Sequence, residues 1–143
     1  MPTVSFTLPI TPESQKRPRH SARHGFVRMH KKPSDIANEA AIAALAAPYK
    51  PPYPITTAVS VSFVAVMPRP KALCTVSKRT GLPLNDTAGY AHTSKPDVDN
   101  LAKALLDALK SWWCDDSQVY SLSGKKMVAA YGEQPHWEVT VSW

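Results

Sequence analysis

The side chains best able to do chemistry lie in Lys95-Pro96-Asp97-Val98-Asp99-Asn100-Leu101-Ala102-Lys103 and in the pair Asp115-Asp116, whose second member follows Lys103 by thirteen residues. Pro96 disfavours helix for the residue before it, so a helix is expected to start near Asp97 or Val98, with Asp97 at its N-cap and Asp99 in its first turn. Asp99 and Lys103 are four apart, about 40° around the axis, so their side chains can meet on the polar face. Three carboxylates brought together without compensation would repel and raise one another's pKa. An oxygen-only set of this kind suits a hard cation, and Mg²⁺ takes one or two carboxylates plus water and substrate phosphate. The chemistry would be metal-assisted phosphodiester hydrolysis, with the metal activating water and a nearby lysine adding a second positive charge. A plainer reading stands beside it: a helix-capping Asp97, an Asp99–Lys103 surface pair worth about 0.3–0.5 kcal/mol, and an ordinary Asp-Asp turn. Residue types alone favour neither.

The elements that must position these groups follow from periodicity. Residues 3–8 alternate and end at Pro9, as a short strand does. Residues 16–32, broken by Pro18, Gly25 and Pro33, read as loop. Ser34 can cap a helix from Asp35 to Ala47, and a proline-rich connector follows. Ile55 to Met67 gives the clearest strand, with Val59, Val61, Phe63, Ala65 and Met67 on one face. Residues 68–96 read as a long loop. The strongest helix is Val98 to Trp113: Leu101, Leu105, Ala108 and Trp112 share a side with Ala102, Leu106, Leu109 and Trp113, opposite Asp99, Asn100, Lys103, Asp107, Lys110 and Ser111. Gln118 to Tyr131 suggests a strand bent at Gly124, and His136 to Trp143 another. The order β-α-β-α-β-β predicts an α/β (α+β) fold as a single domain over residues 1–143, a mixed sheet with two main helices packed on it. A helix of about 22 Å would separate Asp116 from Asp97 unless it is short or crosses the sheet obliquely, and spacing does not decide which.

Composition narrows the partners. The chain has 143 residues, 43% of them apolar, and a net charge of +6. Residues 16–32 hold seven Lys/Arg and three His with no acid, and 68–96 carry Arg69, Lys71, Lys78, Arg79 and Lys95 against one Asp86. Between 97 and 116 the sign reverses, with five of the eleven acids. Basic loops framing an acidic cluster suit a polyanion whose phosphates are neutralised regardless of sequence. No apolar run is long enough for a membrane span, and the start lacks a charged and then apolar leader. Cys74 and Cys114 lack CxxC spacing, so no disulfide framework or zinc ribbon is indicated. The expectation is a soluble cytoplasmic protein.

The segment KPDVDNLAKALLDAL followed by CDDSQV resembles the signature of the RusA-type Holliday junction resolvases (crossover junction endodeoxyribonucleases), found in bacteria and prophages. The opening TLPITP strand, Arg-rich stretch, helix and strand follow in the same order. The resemblance implies a homodimer that binds four-way junctions and uses Mg²⁺, with Mn²⁺ as a substitute, to make paired symmetric nicks in DNA recombination and repair. It assigns Asp97, Asp99 and Asp116 as catalytic and metal-binding carboxylates, Lys103 as the essential lysine, and Asp115 as a neighbouring acid. It implies convergence of these acids, which the spacing leaves open. The loop 68–96 is longer than in compact relatives.

Arg17, Arg19, Arg23, Arg69, Lys71, Lys78 and Lys95 form the pool of DNA contacts; no membrane or small-molecule cofactor is expected. His20, His24 and His30 could hold Zn²⁺ on a helix, but Pro18 and Gly25 oppose one and no Cys or carboxylate joins them. Cys114 reads as a small buried hydrophobe, and Trp112, Trp113, Trp137 and Trp143 as core or interface rather than base-stacking surfaces. The alternative function is a non-catalytic basic nucleic-acid-binding module, whose binding weakens steeply with salt and whose aspartates are caps.

Overall fold

Strands in which apolar and hydroxylic residues alternate bury one face and leave the other to solvent. This pattern builds the main sheet in the computed structural model, which describes residues 1–14, 32–82 and 90–143, and 19–23 and 26–30 as backbone. In chain order the elements are β1 (Thr3–Leu8), β2 (Arg19–Arg23), β3 (Phe26–His30), α1 (Pro33–Ala46), β4 (Val59–Met67), α2 (Val98–Leu109), β5 (Val119–Val128) and β6 (His136–Ser142). The sheet order is β1-β6-β4-β5, with β2 and β3 paired separately. β6 is antiparallel to both β1 and β4, whereas β4 and β5 run parallel.

Register sets the core. Val61 lies opposite Val141, Phe63 opposite Val139 and Ala65 opposite Trp137, all buried. Phe6 and Leu8 extend that face onto β1, and α1 and α2 cover it with Ile42, Leu101, Leu105 and Leu109. The other face carries hydroxyls, and Ser5 Oγ to Thr140 Oγ1 (2.9 Å) and Thr3 Oγ1 to Ser142 Oγ (3.1 Å) link β1 to β6 across it. No helix among the described residues is long and apolar enough to cross a membrane.

The parallel β4–β5 pair fixes how α2 runs, because parallel neighbours need a crossover. α2 returns from the end of β4 to the start of β5, antiparallel to both. Its apolar side is the predicted one, but it is regular only over Val98–Leu109 and tightens into a 3₁₀ turn at Lys110–Trp112.

Several expectations change. Much of 16–32 is not loop, since 19–23 and 26–30 pair as antiparallel strands, Arg19 opposite His30 and Arg23 opposite Phe26. Backbone pairing tolerates the charges that made the stretch look unstructured. α1 starts at Pro33 with Lys32 at the N-cap and no side-chain cap, so Ser34 does not cap it. Proline at the first helical position has its fixed φ already suited to the helix and no N–H to lose. Regular pairing in β4 begins at Val59 and Ile55 makes only a bridge to Trp113. β5 continues through Gly124, where the Phe63 ring crosses the backbone, and a Cβ there would overlap that ring.

Candidate active site

Asp97 occupies the N-cap position of α2 in an extended conformation (φ −72°, ψ 146°), but its carboxylate makes no capping bond. Only its carbonyl joins the helix, accepting from the Leu101 N–H at 3.1 Å. The capping explanation of this carboxylate therefore fails, and the group is exposed. Asp99, Lys103 and Asp107 follow at four-residue steps, each roughly a turn beyond the last. Together with Asp116 they line an open groove of about 330 Å³ between α2 and β5. Ala102, Leu106, Trp113, Val119 and Leu122 supply its apolar lining. Charges set against low-dielectric walls act more strongly than the same charges in open water.

Asp116 is fixed from below. Trp113, itself buried, donates its Nε1–H to Asp116 Oδ1 at 3.1 Å. Asp115 is employed differently: its Oδ1 accepts the Ser117 N–H at 2.8 Å, and its own N–H donates to Gln118 Oε1 at 2.7 Å. These two bonds form a capping box on the 3₁₀ turn Asp116–Gln118. Hydrogen bonds from the Ser117 hydroxyl and N–H hold the Asp115 carboxyl below the usual carboxylate range. Gln118 also donates from Nε2 to Ile55 O (2.9 Å) and Thr57 O (2.8 Å), tying the acidic turn to the segment that leads into β4.

The structure thus brings Asp99, Lys103 and Asp116 to one groove, while Asp97 does not line it. Among the described residues, no three His, Cys, Asp or Glu side chains stand close enough together to hold a metal ion. Mg²⁺ does not require such a preassembled set, because it keeps several waters and uses one or two carboxylates plus substrate phosphate. The all-oxygen pair Asp99 and Asp116 fits that demand.

Of the basic residues, Arg69 donates from Nε to Leu73 O (2.9 Å) and from Nη1 to Ala129 O (3.4 Å), holding the start of the long loop. Lys71, Lys78, Arg79 and Lys95 are exposed. Arg19 and Arg23 lie on β2, described as backbone, and Arg17 and His24 lie outside the described residues. Cys114 is exposed rather than buried, because the chain leaves the core immediately after Trp113. Trp112, Trp113 and Trp137 are core residues.

Four contributors escaped the sequence reading. Asp107 was legible as the next four-residue step after Lys103. Gln118 was legible as the last residue of a D-x-x-Q capping box. The Trp113 N–H and Lys126, whose Nζ donates to Ser94 O and Pro96 O at 2.6 Å each, left no local signal. Both act across the fold or out of an apolar side chain.

The family model for endodeoxyribonuclease RusA matches residues 9–142 of this chain. The uncharacterized protein YqaN of Bacillus subtilis (strain 168) is 33% identical over 142 residues, covering 99% of this chain and 96% of that protein.

Proposed function

The chain belongs to the endodeoxyribonuclease RusA family, and from that premise we propose that it is a Mg²⁺-dependent resolvase of four-way DNA junctions, acting in recombination and repair. The observation that supports this most directly is the single groove shared by Asp99, Lys103 and Asp116. Asp99 and Asp116 would hold the ion, which when bound supplies Lewis-acid polarisation of the phosphodiester and a water of lowered pKa, a role Mn²⁺ can also fill. Lys103, about one turn from Asp99, sets its ammonium on the same rim. There it meets the non-bridging oxygens of a seated phosphate and stabilises the negative charge that gathers as the bond breaks. Asp97, exposed at the start of the helix, is the remaining carboxylate of the motif and serves as a further catalytic and metal-binding acid. Asp115 serves chiefly as the cap that shapes the turn bearing Asp116.

Junction resolution needs two cuts in opposed strands. A two-fold homodimer presents two such grooves, one per strand, and so makes paired symmetric nicks. Arg17, Arg19, Arg23, Lys71, Lys78 and Lys95 contact phosphates without reading sequence, with Arg69 shaping the loop that carries several of them. The protein works as one domain on nucleoid DNA in the cytoplasm.

The test is nicking of a labelled four-way junction against a matched linear duplex, with Mg²⁺ and with EDTA. Paired, metal-dependent cuts confined to the junction are expected. Tight binding without a cut under any metal would overturn the reading in favour of a non-catalytic binding module.

A further inference from the structure

We infer that Lys126 is a positioning residue of this nuclease, holding the start of α2, and with it Asp97 and Asp99, at a fixed place on the sheet; the inference rests on the site assignment above. The N-cap residue of α2, Asp97, makes no side-chain capping bond. What holds the chain there comes from β5. Lys126 lies opposite Ala65, on the sheet face that packs against the helices. Its Nζ donates to the carbonyls of Ser94 and Pro96, both at 2.6 Å. The Pro96 carbonyl belongs to the peptide bond that enters Asp97, so one of these bonds fixes the plane from which the motif departs. Charge-assisted hydrogen bonds of this length are roughly twice as strong as neutral ones.

The same strand grips the preceding residues by backbone. His92 N–H donates to Lys126 O at 3.0 Å, Val128 N–H to Tyr90 O at 2.8 Å, and Ala91 bridges Met127. Residues 90–92 are thus an added rung on the edge of β5, and Lys126 extends that grip across 94–96 to the helix. Among the described residues Lys126 is paired with no carboxylate, and two carbonyls leave its charge unneutralised. Its role is therefore orientation of a loop by a cation.

The test compares Lys126→Met, which keeps the length and loses the donors, with Lys126→Arg, which can again donate to two carbonyls. Wild type and Asp99→Asn run alongside. The readouts are single-turnover nicking over a range of Mg²⁺, binding of Mn²⁺ to the DNA-free protein by electron paramagnetic resonance, and the denaturant midpoint. Displacing a reacting group by about 1 Å costs on the order of 100-fold in rate, and Lys126→Met is expected to lose about that much. It should also bind Mn²⁺ more weakly and need more Mg²⁺ for half-maximal nicking, with junction binding in EDTA unchanged. Lys126→Arg should recover most of the rate and of the metal affinity. The inference is overturned if Lys126→Met nicks at the wild-type rate with the wild-type metal requirement. It is equally overturned if its loss follows the denaturant midpoint alone while metal affinity in the folded protein is unaltered. A wild type that does not nick at all overturns the site assignment instead.

Discussion

At the scale of single residues, Asp115 and Asp116 are neighbours with separable roles. The Asp116 carboxylate faces the groove and is held by the Trp113 indole, whereas that of Asp115 is spent on the Ser117 N–H. Asp116→Asn should abolish nicking and leave the denaturant midpoint nearly unchanged. Asp115→Ala should shift the midpoint downward and reduce nicking only in part. The two variants measured side by side check the split. Acid should act on Asp115 in the same direction, because its carboxyl is held below the ordinary range by Ser117. Its contribution is full above the unfolded-state pKa and is lost as pH falls through the folded one. Trp113→Phe keeps the buried ring and removes the donor to Asp116. A hydrogen bond of this kind is worth about 1 kcal/mol, so a rate loss of roughly fivefold with an intact fold is expected. Single-turnover nicking and near-ultraviolet circular dichroism would check both halves of that statement.

At the scale of elements, the start and the buried face of α2 were legible from three local features, a proline before its start, an apolar stripe and charges on the opposite side, whereas its regular end at Leu109 was not. The stripe is buried as expected, and Leu105→Ala should cost about 2–5 kcal/mol in a denaturant titration because it empties a fully buried position. Strands were legible where one face is core, as in β4 and β6. The β2–β3 pair was not, since neither strand shows a clear apolar face and their pairing is made by backbone groups common to all residues. The close approach at Gly124 was not legible, for a different reason. Its requirement comes from Phe63 on the neighbouring strand, which no local window contains. Gly124→Ala should therefore destabilise by about 1–3 kcal/mol through overpacking, whereas Gly132, with open space around its Cβ position, is governed by its φ of 81° instead. That Asp99 and Asp116 line one groove was the hardest feature to read. It depends on β5 running parallel to β4, which fixes α2 between them, and strand direction is not written in the spacing of aspartates.

At the scale of the molecule, charge and shape divide the labour. The +6 balance favours any polyanion, so association with DNA should weaken linearly in log–log form as salt rises, for junction and duplex alike. Discrimination between them should instead persist at salt concentrations where duplex binding has faded, and competition binding at two ionic strengths measures it. His92 adds a pH dependence of its own. Burial, and then the Lys126 charge, hold its imidazole below the ordinary value, so the folded protein prefers it neutral. Stability should be fully present above the unfolded imidazole pKa and fall as the solution is acidified through the window below it, a slope that His92→Asn removes. The attachment of residues 90–96 to β5 has a last consequence, for tolerance of length change. Asp116 opens the turn that leads directly into β5 at Val119, and the start of α2 is tied to that strand's later part, so a single stiff segment gauges the separation of the two acids. One residue gained or lost within β5 would turn every following side chain to the opposite face.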